Sequence, residues 1–307
     1  MKGITKNTSR VITAAVVYVC FVEVSIEWDW CLDGGCKVRE EIYRNTMCYY
    51  KELPENDMYR NIKDAMTDTD RKRLLSWYNT YRNKMAAGEI PGWPPAADMR
   101  QLTWEKDLEE VARRFSFQTR RGHDFCRRTE KYFDVGQITA ISDSVGSNES
   151  YPDVKFAFVG WVEQYKNVIL NADPKILIKQ YIYGPEGAPW SELTSIVWAK
   201  AFKIGCATTT FDPKDPPLKD AEHGGRQVTC NIHHRPNELY KPIYTMGDAC
   251  TKCPTNTSCN RNSTHPSLCA LPGDPSDEVP EFIFLNSEML AVNRYCAVIL
   301  LLITRLF

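Results

Sequence analysis

An α+β fold is predicted by three observations: apolar residues at helical spacing in the first half of the chain, alternation of period two in two later runs, and turn residues between them. Thr67-Asp68-Thr69-Asp70 has the composition of a helix N-terminus, a capping hydroxyl followed by acids at the positive end of the helix dipole. Leu74, Tyr78, Tyr81 and Met85 then recur at helical spacing. Gly88 ends that helix, and the prolines between Pro91 and Pro95 cannot continue it. Thr103 is placed to cap a second helix whose inner face is Leu108, Val111, Ala112 and Phe115, with Glu109, Glu110 and Arg113 outside. Val154, Phe158, Trp161 and Tyr165 mark a third helix carrying Glu163 and Gln164. Ile204, Cys206, Thr208 and Thr210 alternate, as do Val228, Cys230 and Ile232, which predicts two strands joined by a polar, proline-rich loop holding Gly224-Gly225. No internal repeat interrupts this order.

Composition narrows the partners. The 307 residues carry 38 basic and 39 acidic side chains, a formal net charge of -1, so no global field draws in nucleic acid or an anionic membrane. Residues 1–26 run from Lys2, Lys6 and Arg10 into an apolar stretch, Val11 to Val22, and reach Ser25. They read as a secretory signal peptide, because the stretch falls short of the ~18 apolar residues of a spanning helix. Residues 273–307 read as a linker rich in proline and acids, followed by a short hydrophobic tail. A glycolipid-anchor signal fits it loosely, since Phe282 to Leu285 interrupt the spacer after Gly273, Asp274 and Ser276. The chain touches a membrane only if that tail is an anchor signal. Asn148, Asn256 and Asn262 head glycosylation sequons in polar segments suited to an exported protein.

Of the 12 cysteines, Cys20 lies in the signal segment and Cys296 in the apolar tail, and the even remainder suits disulfides in an oxidising compartment. The last four, Cys250, Cys253, Cys259 and Cys269, form a C-x2-C-x5-C-x9-C cluster near His265. Two readings stand, a zinc site and two disulfides, with the oxidising compartment favouring the disulfides.

Three short runs in fixed order carry more information: Pro94-Pro95-Ala96-Ala97-Asp98-Met99, Gly122-His123-Asp124-Phe125-Cys126-Arg127, and Thr194-Ser195-Ile196-Val197-Trp198-Ala199-Lys200 leading to Ile204-Gly205-Cys206. With them the chain resembles the CAP superfamily of cysteine-rich secretory, antigen 5 and pathogenesis-related proteins, nearest to antigen 5-like proteins of arthropod venom and saliva. The late signature, Val228 to Asn237, is eroded and keeps mainly Cys230, Asn231 and Asn237. The resemblance implies an α-β-α sandwich, a small antiparallel sheet between helix layers. Its domain order would be a cysteine-containing extension at 27–66, a CAP domain at 67–235 and a cysteine-rich tail at 236–272. It also implies disulfides joining Cys31 to Cys48, Cys36 to Cys126 and Cys206 to Cys230. The family's cysteine four residues before the cleft histidine is Thr119 here, and its usual partner shortly after Cys48 is missing too.

In that family the cleft holds two histidines and two acids. Carried onto this sequence, His123 matches the first histidine, Gln137 and Gln164 stand at the acidic positions, and Glu192 stands at the second histidine. Two imidazoles can share Zn²⁺ and leave positions open for water, whose proton a carboxylate can take. Amides have no titratable proton near neutral pH. The reading is therefore a secreted, extracellular, non-enzymatic antigen 5-like protein with no cofactor. It binds an unidentified extracellular protein, or a lipid or sterol, through a degenerate cleft. The alternatives are a metal-dependent hydrolase using His123 and Glu192, and a surface-tethered form of the binding protein. His123 also has a purely structural reading, hydrogen-bonded beneath a Cys36 to Cys126 bridge. Glu163 reads as a solvated helix face, about 100° from Gln164. His233-His234 reads as a surface-loop pair, with metal binding as its minor alternative. Ile90 to Pro95 and Tyr181-Ile182-Tyr183 combine aromatics with proline and offer either rigid binding contacts or loop packing.

Overall fold

The computed structural model describes residues 28–274 apart from 33, 39, 54, 143–151, 183–188, 215–223 and 260. The signal segment with Cys20, the tail beyond Asp274 with Cys296, Tyr183 and Asn148 lie outside the described residues.

The chain opens with a small hairpin, β1 (Cys36–Val38) and β2 (Glu41–Tyr43), followed by α1 (Thr46–Tyr49) and β3 (Tyr59–Asp64). Next come α2 (Asp68–Ala87), β4 (Thr103–Trp104), α3 (Lys106–Ser116), β5 (Gly136–Ser142), α4 (Lys155–Val162), α5 (Tyr165–Asn171), α6 (Pro174–Lys179) and α7 (Ser191–Ile196). The long strands β6 (Lys203–Pro213) and β7 (Gly225–His233) precede a stapled tail with β8 (Ser258–Cys259) and β9 (Cys269–Ala270). The central sheet runs β3-β6-β7-β5, all antiparallel, with β4 added to β6 in parallel. Sequence alternation marks only two of these strands. β3, β4 and β5 are short or half-buried, and their pairing is fixed by neighbours instead of by a face of their own.

The two faces of the sheet are covered by different helices, which makes the layered α-β-α sandwich. Ile204, Cys206, Val228, Cys230 and Ile232 join the main core with Leu74, Tyr78 and Met85 of α2. The alternate residues face α3. There a Cβ on Gly205 would sit 2.2 Å from the Glu109 amide nitrogen, so only glycine lets helix and strand meet this closely.

Several local expectations are corrected. The cap of α2 has the predicted form, since Thr67 and Asp70 make a reciprocal capping box and Gly88 ends the helix at φ 76°. Thr103, by contrast, caps nothing. Its amide donates to the Phe202 carbonyl at 3.0 Å, which holds it in β4, and α3 starts after Glu105 without a side-chain cap. Glu109 is not outside: it is 2 % exposed, receiving Arg71 Nε at 2.7 Å and Trp104 Nε1 at 2.7 Å. The third helix breaks into α4 and α5 around Glu163 and Gln164, where the Gln164 amide reaches back to the Trp161 carbonyl, three residues away, at 3.4 Å. Trp93 and Tyr181 are buried, so the described aromatics of these two loops serve packing.

Among the described residues there are five disulfides: Cys31–Cys48, Cys36–Cys126, Cys206–Cys230, Cys250–Cys259 and Cys253–Cys269. All four tail cysteines are thus consumed as disulfides, leaving no thiolates for a zinc site, and His265 is buried against Thr80 of α2 instead. The tail is docked, not free. The Ser267 amide donates to Asn83 Oδ1 at 2.8 Å, and Cys269 exchanges backbone hydrogen bonds with Met99 and Gln101. Thr119, in place of the family's cysteine, takes a hydrogen bond from Asn56 Nδ2 at 2.6 Å, and Gln118 Nε2 donates to the Lys51 carbonyl at 2.9 Å. Polar contacts therefore tether the 51–56 segment where no bridge is available.

Arg82, fully buried on α2, donates from Nη1 to the carbonyls of Ile196 and Trp198 at 2.7 and 2.9 Å, and from Nη2 to Arg100 at 2.5 Å and Ala201 at 3.0 Å. Burial, and then the charge of Arg100, pull its pKa down to about 9, which still leaves it protonated at neutral pH. Replacing it with methionine keeps the length and orphans those carbonyls. Arg82→Met should cost about 3–5 kcal/mol, seen as a lower urea midpoint at unchanged slope, and Arg82→Lys should recover only part, having fewer donors.

Candidate functional site

A cleft of about 340 Å³ lies between the Gly122 to Arg127 run, the start of β5, α7 and the loop after β7. His123, Gln137 and Glu192 line it, with Arg127, Arg235 and Asn237. Each is positioned by a specific anchor.

The floor under His123 is set by Asp124, which is 2 % exposed and accepts hydrogen bonds from Thr46 Oγ1 and from Arg127 Nε. Together with the Cys36–Cys126 bridge, these contacts fix the loop to the N-terminal extension. His123 itself is exposed at its rim and is not held beneath the bridge. Its Nδ1 lies 3.1 Å from Gln137 Oε1.

The proton positions follow from a relay that ends on a carbonyl. The Leu108 carbonyl can only accept, so Asn231 Nδ2 donates to it at 3.2 Å. This turns Asn231 Oδ1 toward Gln137 Nε2, 3.1 Å away, and leaves Gln137 Oε1 to accept from His123 Nδ1. Neutral His123 therefore carries its proton on Nδ1 and its lone pair on Nε2. Partial desolvation of the ring by the surrounding cleft, and then the Arg127 charge, lower its pKa from the ordinary value, against the opposing hydrogen bond with Gln137.

The opposite wall is organised by Gln164. Its Oε1 accepts from the Leu193 amide at 3.1 Å, so its Nε2 must face Glu192 Oε2, 2.7 Å away. Ser191 Oγ donates to the same carboxylate oxygen at 2.9 Å. Glu163, one residue earlier, points out to solvent and pairs with Lys166 at 3.0 Å. Asn237, in a left-handed conformation at φ 60°, donates to the Ser191 carbonyl at 2.7 Å and to Ser195 Oγ at 2.9 Å. It accepts from Thr194 Oγ1 at 2.8 Å, which pins α7 to the loop after β7. The four sequence-derived cleft residues thus form two amide-bonded pairs, His123 with Gln137 and Gln164 with Glu192. His123 and Glu192 face the same space.

Arg127 and Arg235 escaped the sequence reading, although Arg127 directly follows the cleft cysteine. Both also border a neighbouring groove of about 590 Å³ with Lys37 and Arg128. Of the histidine pair, His234 lies in the surface loop as expected and His233 does not. His233 closes β7, its ring half-buried between Tyr132 and Phe202, with Nδ1 donating to the Asp134 carbonyl at 2.8 Å. Asn256 and Asn262, the described sequon asparagines, are exposed in the tail. No helix among the described residues is long and apolar enough to cross a membrane.

The chain matches the Cysteine-rich secretory protein family, CAP, over residues 75–215. It is 32% identical over 230 residues to Venom allergen 3 of Solenopsis invicta, spanning 71% of this chain and 89% of that protein. It is 28% identical over 218 residues to Venom allergen 5 of Vespa mandarinia, spanning 68% and 97% of the two chains. The solved structure of NaASP2 with Zn²⁺ aligns with a TM-score of 0.49 at 19% identity, covering 71% of this chain and 99% of that one. The relation to the ant protein settles the family: this chain is a CAP protein, close to the antigen 5-like venom allergens.

The His123 environment makes a pH prediction. A folded-state pKa below the unfolded value of about 6.5 contributes stability that is present above that pH and is lost as pH falls through the folded value. Gln137→Glu reverses the sign. A carboxylate beside Nδ1 should raise the His123 pKa above the ordinary value, read by NMR titration of its ring proton, and give stability that fades as pH rises through it.

Proposed function

We propose that this chain is a secreted, extracellular, non-enzymatic antigen 5-like CAP protein that binds an extracellular protein, or a lipid or sterol, through the cleft described above. The observation that carries this reading is the Gln164–Glu192 hydrogen bond at 2.7 Å. The cleft's one carboxylate is engaged by an amide and a serine hydroxyl, and the two positions suited to an acid or base hold Gln137 and Gln164. Neither glutamine can move a proton near neutral pH. Export is supported by the family's secretory description, by five disulfides of a kind that persists in oxidising compartments, and by the signal-like start of the sequence. The near-neutral net charge speaks against nucleic acid as partner.

A hydrolase built on His123 and Glu192 is the competing reading, favoured by the free Nε2 lone pair of His123 facing the same cleft as Glu192. The full chain, collected from the medium of secreting cells, separates the two by native mass spectrometry and by turnover of ester, peptide and phospholipid substrates. The expected result is no turnover above background and a co-purifying lipid mass or protein partner that is lost when the exposed cleft wall is obstructed by Arg235→Trp. Turnover abolished by His123→Ala or Glu192→Gln would sink the proposal.

A further inference from the structure

Just outside the cleft, the loop that closes β7 faces the segment before β5 through three side chains: Asp134, His234 and Glu238. One ligand atom from each lies within 4.8 Å of the others. His234 Nδ1 is 3.1 Å from Asp134 Oδ2 and 3.8 Å from Glu238 Oε1. We propose that Asp134, His234 and Glu238 form a binding site for a divalent transition-metal ion of the Zn²⁺ class, separate from the His123 cleft and going beyond the function proposed above.

The geometry distinguishes this from an ordinary ion pair. In an ion pair the imidazole N–H aims at a carboxylate oxygen, whereas around a metal all three donors aim at a shared point between them. His234 Nδ1 is shielded from solvent and makes no hydrogen bond, although an oxygen stands at 3.1 Å, so the ring does not point at that oxygen. Donor atoms around a tetrahedral ion with bonds of about 2.0–2.1 Å lie roughly 3.4 Å apart, close to the two nitrogen–oxygen separations seen here. Among the described residues neither carboxylate pairs with an arginine or lysine, so two negative charges converge on one imidazole, an arrangement that a dication offsets.

The site is also braced. The Asp134 carbonyl accepts from His233 Nδ1 at 2.8 Å and from the Arg235 amide at 3.1 Å, the residues on either side of His234. Asn237, next to Glu238, is anchored to α7. The three donors, one nitrogen and two oxygens, leave coordination positions open, and all three side chains are partly accessible, so an ion can enter. A bound ion would fix the 234–238 loop, which carries Arg235, Pro236 and Asn237 on the cleft wall.

Isothermal titration of the metal-stripped, secreted full chain with Zn²⁺ tests this, alongside thermal melting with and without the ion. The expected result is one bound Zn²⁺, an upward shift in Tm on loading, and affinity lower by roughly tenfold or more in His234→Ala and in Glu238→Gln. Matching circular dichroism of wild type and variants rules out misfolding as the cause, and Asp134→Asn serves as the third variant. His123→Ala and Glu192→Gln should bind Zn²⁺ as the wild type does. The assignment is overturned by wild-type affinity in both His234→Ala and Glu238→Gln, by loss of binding in His123→Ala instead, or by no binding at sub-millimolar Zn²⁺.

Discussion

The buried guanidinium of Arg82 is the contact on which the layered structure turns. It sits on α2 with no exposure and satisfies the carbonyls of Ile196, Trp198 and Ala201, at the end of α7 and before β6 begins. A chain reversal inside a core exposes carbonyls with no sheet or helix partner, and each costs free energy if left bare. One planar cation with five N–H groups answers several at once, and the carbonyl dipoles in turn replace the water it has lost. Asn79, one turn earlier on the same helix, does likewise for the backbone of Leu102, donating at 3.0 Å and accepting at 2.9 Å. The polar seam of α2 thereby fixes where β4 and β6 start, and hence where α7 presents Glu192.

What the sequence shows and hides follows from this seam. The helix stripe at Leu74, Tyr78 and Met85 is legible because apolar side chains announce a buried face. Arg71 and Arg82 stand on that same buried side, yet a hydropathy pattern counts them as surface. Glu109 is hidden for the matching reason: it is buried only because Arg71, 38 residues away, arrives beside it. Strands β6 and β7 alternate visibly because each face meets a different helix layer, whereas β4 is two residues held by the Phe202 and Ile204 carbonyls and has no pattern to display. In the cleft, the motif resemblance pointed to His123, Gln137, Gln164 and Glu192, which the structure brings together as two hydrogen-bonded pairs. It could not locate Arg235, or the Asp134, His234 and Glu238 cluster, because these depend on the path of the loop that leaves β7.

The eroded late signature has a physical reading in the same terms. Of the residues it keeps, Cys230, Asn231 and Asn237, the cysteine is in a disulfide and the two asparagines are structural. Asn231 is fully buried, ties β7 to the Leu108 carbonyl and sets the orientation of Gln137. Asn237 adopts a left-handed conformation that asparagine tolerates and holds α7 by three hydrogen bonds. Both asparagines therefore brace the walls of the cleft and take no part in its acid–base chemistry.

The residues at 164 and 192 are coupled by electrostatics. A carboxylate stands at position 192, where the sequence resemblance leads one to expect a histidine, and its oxygen is 2.7 Å from the side chain at position 164. An acid at 164 would place two carboxylates at that separation, and like charges so close cannot both ionise. Glutamine has nearly the same shape, turns its amide nitrogen toward Glu192, and keeps its oxygen on the Leu193 amide. Once Glu192 is present, an amide at 164 is the neutral, fully bonded solution. Restoring either family residue alone leaves the pair mismatched: glutamate at 164 faces Glu192, and histidine at 192 faces an amide that cannot take its proton. Proton-transfer chemistry at this wall would need both positions to change together.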